Sequence, residues 1–321
     1  MIRLPEHWQR RDAVSAALWP LSLLFGAVVA FRRALYRGGW LRSVRTPVPV
    51  IVVGNITVGG TGKTPLTIWL AQFLARHGFR PGIVTRGYGG SARHWPLEVT
   101  GETDAALAGD EPVLLARHAG CPVLVDPDRV RGAQALTDSG SCDVILSDDG
   151  LQHYRLARDV EIAVIDGARR FGNGWLLPAG PLREPPSRLA SVDLRVVQGG
   201  APRAGELAMR LVPTGLVRVC NRTTATLDSY RGKCVHAIAG IGHPARFFDT
   251  LRGLGIEVME HPFPDHHRFA PGDLAFDDEL PVIMTEKDAV KCQRFAEGDW
   301  WYLAVTAEPD AGLGERLLKL L

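Results

Sequence analysis

The stretch Val48–Thr64 reads VPVIVVGNITVGGTGKT, and it decides the fold class. Its first six residues are apolar and mostly β-branched, which predicts a buried strand over Val48–Val53. A glycine-rich segment follows, and Lys63 and Thr64 open a predicted helix, Thr64–His77. A strand, a glycine-rich loop and a helix that begins with Lys-Thr are typical of a phosphate-binding loop, because backbone N–H groups can turn toward a phosphate at the positive end of the helix dipole.

This loop predicts a nucleotide site. Lysine in this position reaches the β- and γ-phosphates, and the Thr64 hydroxyl binds Mg²⁺. The pattern GxxxxGK[ST] has a glycine where this chain has Thr57, and the neighbouring glycines are expected to supply the missing flexibility. A base-reading NKxD motif with the right spacing is absent from the sequence, which leaves a kinase or an ATPase, with ATP and Mg²⁺ as cofactors. The predicted nucleotide contacts are Thr57, Val58, Gly59, Gly60, Thr61, Gly62, Lys63 and Thr64.

Short β-branched runs alternate with amphipathic segments along the rest of the chain. This alternation predicts βαβ units and an α/β fold resembling P-loop NTPases, with a mostly parallel sheet sandwiched by helices. The predicted strands are Pro81–Thr85, Pro122–Val125, Asp143–Ser147, Val160–Ile165, Leu194–Val197, Val235–Ala239, Ile256–Met259, Pro281–Thr285 and Trp301–Val305, with a strand-rich connection at Leu211–Arg222. The predicted helices are Thr64–His77, Asp110–Ala119, Arg129–Asp138 and one from Pro244.

The length of 321 residues and a Gly/Pro/Ala-rich segment at Gly199–Gly205 predict more than one domain. We expect an N-terminal basic, apolar and membrane-associating helix in residues 1–45 and a P-loop catalytic domain in 46–212. A strand-rich linker in 213–225 then leads to a smaller C-terminal α/β domain in 226–321.

Residues 1–45 differ from the rest of the chain in charge. They carry eight arginines against Glu6 and Asp12, a net charge of +6, and the whole chain carries +2, which leaves −4 for the remainder. The arginines flank Ala13–Phe31, nineteen residues without a charge. Such a segment predicts a helix that lies on an anionic membrane surface. A single membrane span and an ordinary buried helix are the alternatives, and Pro20 and Gly26 weaken the span.

Composition excludes several classes of protein. Hydrophobic residues make up 46% of the chain and charged residues 22%, which excludes a disordered, collagen-like or disulfide-stabilised small protein. The near-zero net charge argues against a nucleic-acid partner, and no motif predicts a protein partner. The five cysteines are odd in number and never in CxxC spacing, which is typical of reduced cytosolic thiols and predicts no cysteine metal site.

An acidic pair follows one of the predicted buried strands. Asp148 and Asp149 end the apolar run DVILSDD, and polar groups at the carboxyl ends of parallel strands gather at one edge of a sheet. Beside a phosphate-binding loop, we interpret the pair as the Walker B element that holds Mg²⁺ directly or through water. Gln152 and His153 follow at once and are expected to face the same crevice.

A second acidic pair begins a predicted helix. Asp110 and Glu111 can simply complement the helix dipole. The functional alternative makes one of them a general base, because an ordinary aspartate is ionised at neutral pH and can accept a proton from a substrate hydroxyl.

The second block of the sequence contains a competing motif. Gly240, Gly242 and Ala245 fit the pattern GxGxx[GA] after a predicted strand, and Glu260 lies about twenty residues on. A dinucleotide-binding oxidoreductase that uses this turn is therefore an alternative function. A non-catalytic P-loop scaffold is another.

Eight motifs occur in an order that resembles the tetraacyldisaccharide 4'-kinase family, which acts in lipid A biosynthesis in Gram-negative bacteria. The resemblance covers nearly the whole chain, and Thr57 is the family's normal residue at the place of the generic glycine. The motifs are GNITVGGTGKTP at 54–65, RGYG at 86–89, GDEP at 109–112, DDGLQH at 148–153, LPAGPLREP at 177–185, AGIG at 239–242, DH at 265–266 and MTEKDA at 284–289.

The resemblance implies that the chain transfers the γ-phosphate of ATP to the 4'-hydroxyl of an acylated glucosamine disaccharide 1-phosphate, giving lipid IVA. It also implies a peripheral position on the cytoplasmic face of the inner membrane. Asp110 falls on the proposed catalytic base and His266 on its partner from the second domain. Implied roles also fall on Lys63 and Asp149 as catalytic residues, on Thr64, Asp148 and Asp149 as metal ligands, and on Gln152, His153, Arg183 and Glu111 near the substrate.

Overall fold

The computed structural model describes residues 4–321 as a mixed α/β structure built on one large sheet. The helices are α1 Leu4–His7, α2 Ala13–Arg37, α3 Lys63–Arg76, α4 Ala105–Ala108, α5 Asp110–His118, α6 Arg129–Asp138, α7 Pro244–Gly253, α8 Glu286–Cys292 and α9 Gly312–Leu318. The strands are β1 Val50–Gly54, β2 Pro81–Thr85, β3 Leu97–Val99, β4 Val123–Val125, β5 Val144–Asp148, β6 Val160–Asp166, β7 Leu194–Gln198, β8 Leu207–Arg218, β9 Thr224–Ala225, β10 Cys234–Ala239, β11 Glu257–Pro262, β12 Val282–Thr285 and β13 Trp300–Pro309.

The predicted mostly parallel sheet is confirmed. Its strand order is β11-β10-β12-β13-β8-β7-β6-β1-β5-β2-β4-β3, with β9 beside β8. The antiparallel pairs are β3 with β4, β8 with β13 and β8 with β9. Every strand predicted from the sequence is present, β2 with the predicted ends and the others with shifted ends. The sequence patterns did not predict β3, α4, α8 or α9, which are short and carry weak periodicity.

Strand β8 connects the two halves of the molecule. It begins at Leu207, before the predicted linker 213–225, and pairs in parallel with β7 and antiparallel with β13. Strands from both predicted α/β domains therefore belong to one continuous sheet. The division at residues 213–225 stays a prediction.

Strand β1 forms the centre of the first half, between β5 and β6. All five of its residues are buried. Ile51 and Val53 pack on one side of the sheet with Leu70 of α3, whereas Val50 and Val52 pack on the other. Burial on both faces is what a continuous apolar strand requires, and each such side chain contributes about 1.5–3 kcal/mol. This core places the loop after β1 at the carboxyl edge of the sheet.

Helix α2 is the one helix in residues 4–321 that is long and apolar enough to cross a membrane, judged by length and composition. It extends past the predicted Ala13–Phe31 to Arg37, and a capping box between Asp12 and Ser15 starts it. Residues 1–3 of the predicted N-terminal segment lie outside the described residues.

The burial pattern of α2 is the reverse of that of a helix on a soluble core. Its buried residues are Ser15 and Ser22, whereas Leu24 is 64% exposed and Phe31 is 66% exposed. The Ser22 hydroxyl donates to the Leu176 carbonyl at 2.8 Å and accepts from the Ala179 N–H at 2.9 Å. The helix therefore rests on the protein through its small polar residues and presents its apolar face outward.

Candidate active site

The loop between β1 and α3 is shaped by two glycines with left-handed backbone conformation, Gly59 at φ +103° and Gly62 at φ +86°. A side chain would be strained at either position. The buried Asn55 amide crosses the loop and donates to the Gly59 carbonyl at 3.4 Å and to the Thr61 hydroxyl at 3.3 Å. Lys63 then begins α3 directly after Gly62. The local sequence thus builds a constrained turn at a helix N-terminus, the arrangement that binds phosphate.

A segment distant in sequence supports this loop. Thr57 forms an antiparallel bridge with Leu182, and the Val58 N–H donates to the Pro181 carbonyl at 2.8 Å. Thr57 is thus a buried bridge residue. A side chain is tolerated at this position, where the generic pattern has a glycine. The same bridge delivers Arg183 to the mouth of the loop.

Asp149 holds the two cations of the loop mouth. The Lys63 ammonium lies 3.4 Å from its Oδ1, and an Arg183 nitrogen lies 3.1 Å from each carboxylate oxygen. Burial alone would raise the pKa of Asp149, but the charges of Lys63 and Arg183 hold that pKa well below its usual range. Asp149 is therefore an anion between two cations that a bound phosphate would share.

Asp148 lies at the end of β5 and is completely buried. Its Oδ1 accepts from the Thr67 hydroxyl at 3.0 Å, whereas its Oδ2 has no hydrogen-bond partner. Burial, helped by the charge of Glu111, raises its pKa to about 7. A buried carboxylate oxygen without a partner is costly unless a cation or a water completes it.

The donor set fits Mg²⁺ better than a softer metal. Thr64 lines the cleft beside Asp149, and both offer oxygen ligands, as Asp148 does. Across residues 4–321, no group of three or more His, Cys, Asp or Glu side chains could hold a metal ion. A cation here would therefore need oxygen ligands from a nucleotide or water in addition to those of the protein.

Asp110 and His266 meet across the cleft. The His266 Nδ1 lies 3.4 Å from the Asp110 Oδ2, and the Tyr88 ring packs on the imidazole at 4.8 Å. Asp110 is only 5% exposed, so His266 is the member of the pair that faces the cleft. Burial opposes the ionisation of Asp110, but its bond to His266 and the charge of Lys287 lower its pKa. The bond to Asp110 raises the pKa of His266.

Of the other residues predicted near the substrate, three line the cleft and one does not. Gln152 lines the cleft and donates to the Asn55 carbonyl at 3.0 Å and to Glu184 at 2.8 Å. Glu111 and Arg183 also line it. His153 does not line the cleft, and burial lowers its pKa to about 4, helped by the positive charge of Arg129. The structure therefore separates His153 from the residues that it was expected to accompany.

Lys287 and Asp265 flank the Asp110 and His266 pair: the Lys287 Nζ lies 4.0 Å from the Asp110 Oδ2, and the Asp265 Oδ1 lies 3.9 Å from the His266 Nε2. Lys287 lies 3.2 Å from Glu111 and 3.5 Å from Asp265. Lys287 belongs to the motif MTEKDA and Asp265 to the motif DH, both quoted from the sequence. That membership was the available signal, because nothing in the local pattern connects Lys287 with residues 176 positions away.

The turn of the competing dinucleotide motif packs on the phosphate loop. A Cβ on Gly242 would lie 3.4 Å from the Gly60 nitrogen and 3.7 Å from the Gly59 Cα. Glu260, the acidic residue that completes this pattern, bonds to Arg252. Close packing of the two turns accounts for the glycine at position 242.

A single cleft of about 2060 Å³ joins these features. It is lined by the phosphate loop, by the His266 side of the Asp110 and His266 pair, and by residues of α1 and α2 that include the apolar Phe25, Val28 and Val29. The N-terminal lining consists of Pro5, Glu6, Trp8, Gln9, Phe25, Val28, Val29 and Arg32. One continuous space thus connects the candidate nucleotide site with the apolar N-terminal helices.

Known proteins resemble this chain over almost its whole length. It is 56% identical to the tetraacyldisaccharide 4'-kinase of Alkalilimnicola ehrlichii over 319 residues, which cover 99% of this chain and 96% of that protein. It is 51% identical to the enzyme of the same name from Nitrosococcus oceani, with 98% and 93% covered. A crystal structure of LpxK from Aquifex aeolicus in complex with ATP matches with a TM-score of 0.80 and 29% identity, covering 96% of this chain and 99% of that one. The sequence profile of the family described as tetraacyldisaccharide-1-P 4'-kinase matches residues 14–321, and the chain belongs to this family.

Proposed function

We propose that this protein transfers the γ-phosphate of ATP to the 4'-hydroxyl of a tetraacylated glucosamine disaccharide 1-phosphate, giving lipid IVA. The observation that carries the proposal is the single cleft that contains a phosphate loop, a paired aspartate and histidine, and apolar helices. The names of its relatives and the ATP in the LpxK structure support the same conclusion.

Charge neutralisation and positioning do most of the work in phosphoryl transfer. The N–H groups of the loop from Gly59 to Gly62 bind phosphate oxygens, whereas the Val58 N–H is already bonded to the Pro181 carbonyl. When a phosphate binds, Lys63 and Arg183 share their contacts between Asp149 and the phosphate, and they neutralise the charge of the transferring group. The P-loop positions Thr57, Val58, Gly59, Gly60, Thr61, Gly62, Lys63 and Thr64 form this site.

Thr64, Asp148 and Asp149 would hold Mg²⁺ together with the nucleotide. The unpartnered Oδ2 of Asp148 and the ionised Asp149 support this assignment. When bound, the ion neutralises charge on the β- and γ-phosphates.

The Asp110 and His266 pair takes the proton of the attacking hydroxyl. Asp110 stays ionised because its pKa is lowered, and it orients the imidazole through the 3.4 Å contact. His266 faces the cleft and is the group within reach of a substrate. Gln152 and Glu111 line the same space and contact the sugar.

The acceptor lipid reaches the cleft from the membrane. Helix α2 lies on an anionic surface with Leu24 and Phe31 in the lipid, and the end of the cleft that its apolar side chains line receives the substrate. In this proposal the protein binds peripherally to the cytoplasmic face of the inner membrane, where ATP is available.

Transfer of radiolabel from γ-labelled ATP to the acylated disaccharide tests the proposal. We expect transfer by the wild type, none by Lys63→Ala, and a loss of about 10²–10⁴-fold by Asp110→Ala. The exposed Lys319→Met serves as a charge-matched control for Lys63→Ala and should keep full activity. Hydrolysis of ATP without labelled lipid would contradict the proposal.

A further inference from the structure

Lys287 lies in the first turn of α8, and three carboxylates surround its ammonium group. Nζ lies 3.2 Å from Glu111 Oε1, 3.5 Å from Asp265 Oδ1 and 4.0 Å from Asp110 Oδ2. Asp110 and Glu111 begin α5 in the first half of the chain, whereas Asp265 lies in the loop after β11. One mostly buried cation thus joins two separate parts of the cleft wall.

The backbone that carries Lys287 is fixed by the next residue. The buried Asp288 carboxylate accepts from the Gly240 N–H at 2.8 Å and from the Thr285 hydroxyl at 2.6 Å, and Lys291 lies 2.7 Å from it. Helix α8 is therefore tied to the turn that packs on the phosphate loop. A side chain that starts from this helix has a defined position relative to the nucleotide site.

Charge balance explains why a cation is needed at this position. Without Lys287, Asp110, Glu111 and Asp265 would share a small space with His266 as the nearest cationic partner, and like charges at such distances repel strongly. Lys291 adds a second, more distant positive charge that acts on Asp110. The carboxylates raise the pKa of Lys287 although its burial opposes this, so Lys287 stays charged.

We infer that Lys287 is a positioning residue for the phosphoryl transfer: by neutralising Glu111 and Asp265, it keeps the Asp110 carboxylate ionised and directed at His266. The inference rests on the proposed function. Lys287 makes no contact with the reacting atoms and acts through Asp110.

The test compares Lys287→Met, Lys287→Arg, Asp265→Asn and the double variant Lys287→Met/Asp265→Asn in the label-transfer assay, with KM for ATP and the pH profile of kcat/KM. We expect Lys287→Met to lower kcat about 100-fold, the cost of a small misplacement of a catalytic group, with KM for ATP within about threefold because the phosphate loop is intact. Its acid limb should move to higher pH, since Asp110 loses a stabilising charge. Lys287→Arg should keep most of the activity.

The double variant distinguishes charge neutralisation from a purely structural role of the Lys287 contacts. If Lys287 acts by neutralising carboxylates, removing the charge of Asp265 should restore activity to Lys287→Met by at least about threefold, within the range of coupling between contacting residues. If Lys287 instead only supports the structure through its contacts, the second substitution should lower the activity further. Thermal melting of each variant checks that it is folded.

An unchanged kcat in Lys287→Met, or no recovery in the double variant, would overturn the inference while wild-type transfer leaves the proposed function standing. Loss of transfer in the wild type would instead remove the proposed function.

Discussion

Ser22→Ala tests the reversed orientation of α2. Ser22 is 3% exposed, and its hydroxyl serves both the Leu176 carbonyl and the Ala179 N–H. The carbonyl keeps a second partner in the Gly180 N–H at 2.9 Å, whereas no other partner is seen for the buried Ala179 N–H within residues 4–321. One buried donor without a partner costs about 1–3 kcal/mol. We expect Ser22→Ala to lower the free energy of unfolding by that amount.

Leu24→Ala is the matched comparison on the same helix. Leu24 is 64% exposed, so its truncation should leave the free energy of unfolding within about 0.5 kcal/mol. It removes about three carbon groups from the lipid-facing side, which weakens binding to anionic vesicles by about 2 kcal/mol, or roughly 30-fold. Chemical denaturation measures the first quantity, and co-sedimentation with phosphatidylglycerol vesicles measures the second. The reasoning fails if Leu24→Ala destabilises the protein and Ser22→Ala does not.

Three other predictions concern the cleft. Asp110→Asn should destabilise the protein more at pH 5 than at pH 9 in denaturation experiments. The lowered pKa of Asp110 stabilises the fold above its usual value of 3.8, and the raised pKa of His266 stabilises it below 6.5, an effect lost as pH rises through the folded value. Arg183→Gln should lower kcat at least about tenfold in the label-transfer assay, because Asp149 then binds Lys63 more tightly; an unchanged kcat would contradict this. Gly242→Ala should raise KM for ATP several-fold, because its Cβ meets Asp265 at 3.3 Å and the Gly60 nitrogen at 3.4 Å. Equal nucleotide binding by this variant and the wild type would show that the two turns are independent.

The strands and the helix after the phosphate loop were predictable because their signals are local. A β-branched apolar run such as Val50–Val53 is compatible with little other than a buried strand, and the glycines before Lys63 require a turn. The same locality explains the omissions. Strand β3 and helix α8 are too short to show a period, so their formation depends on neighbours rather than on their own pattern.

The candidate site was only partly predictable. Asp148 and Asp149 follow from their place at a strand end, but His153, which follows them in the chain, does not line the cleft. Burial raises the pKa of Asp148 to about 7, whereas two cations lower that of its neighbour. Adjacent identical residues thus differ in their proton affinity, and this difference depends on surroundings that are not adjacent in sequence.

By itself, the sequence determined the fold class, the phosphate loop and the uneven charge, since each depends on residues within one short segment. Only the tertiary structure decided that Ser22 faces the protein while Leu24 faces outward, and that Lys287 joins Glu111 and Asp265. The physical reason is that these contacts connect segments separated by more than twenty residues, often by more than one hundred. Hydrogen bonds and charge pairs act over a few ångströms of space, and the distance along the chain does not specify that space.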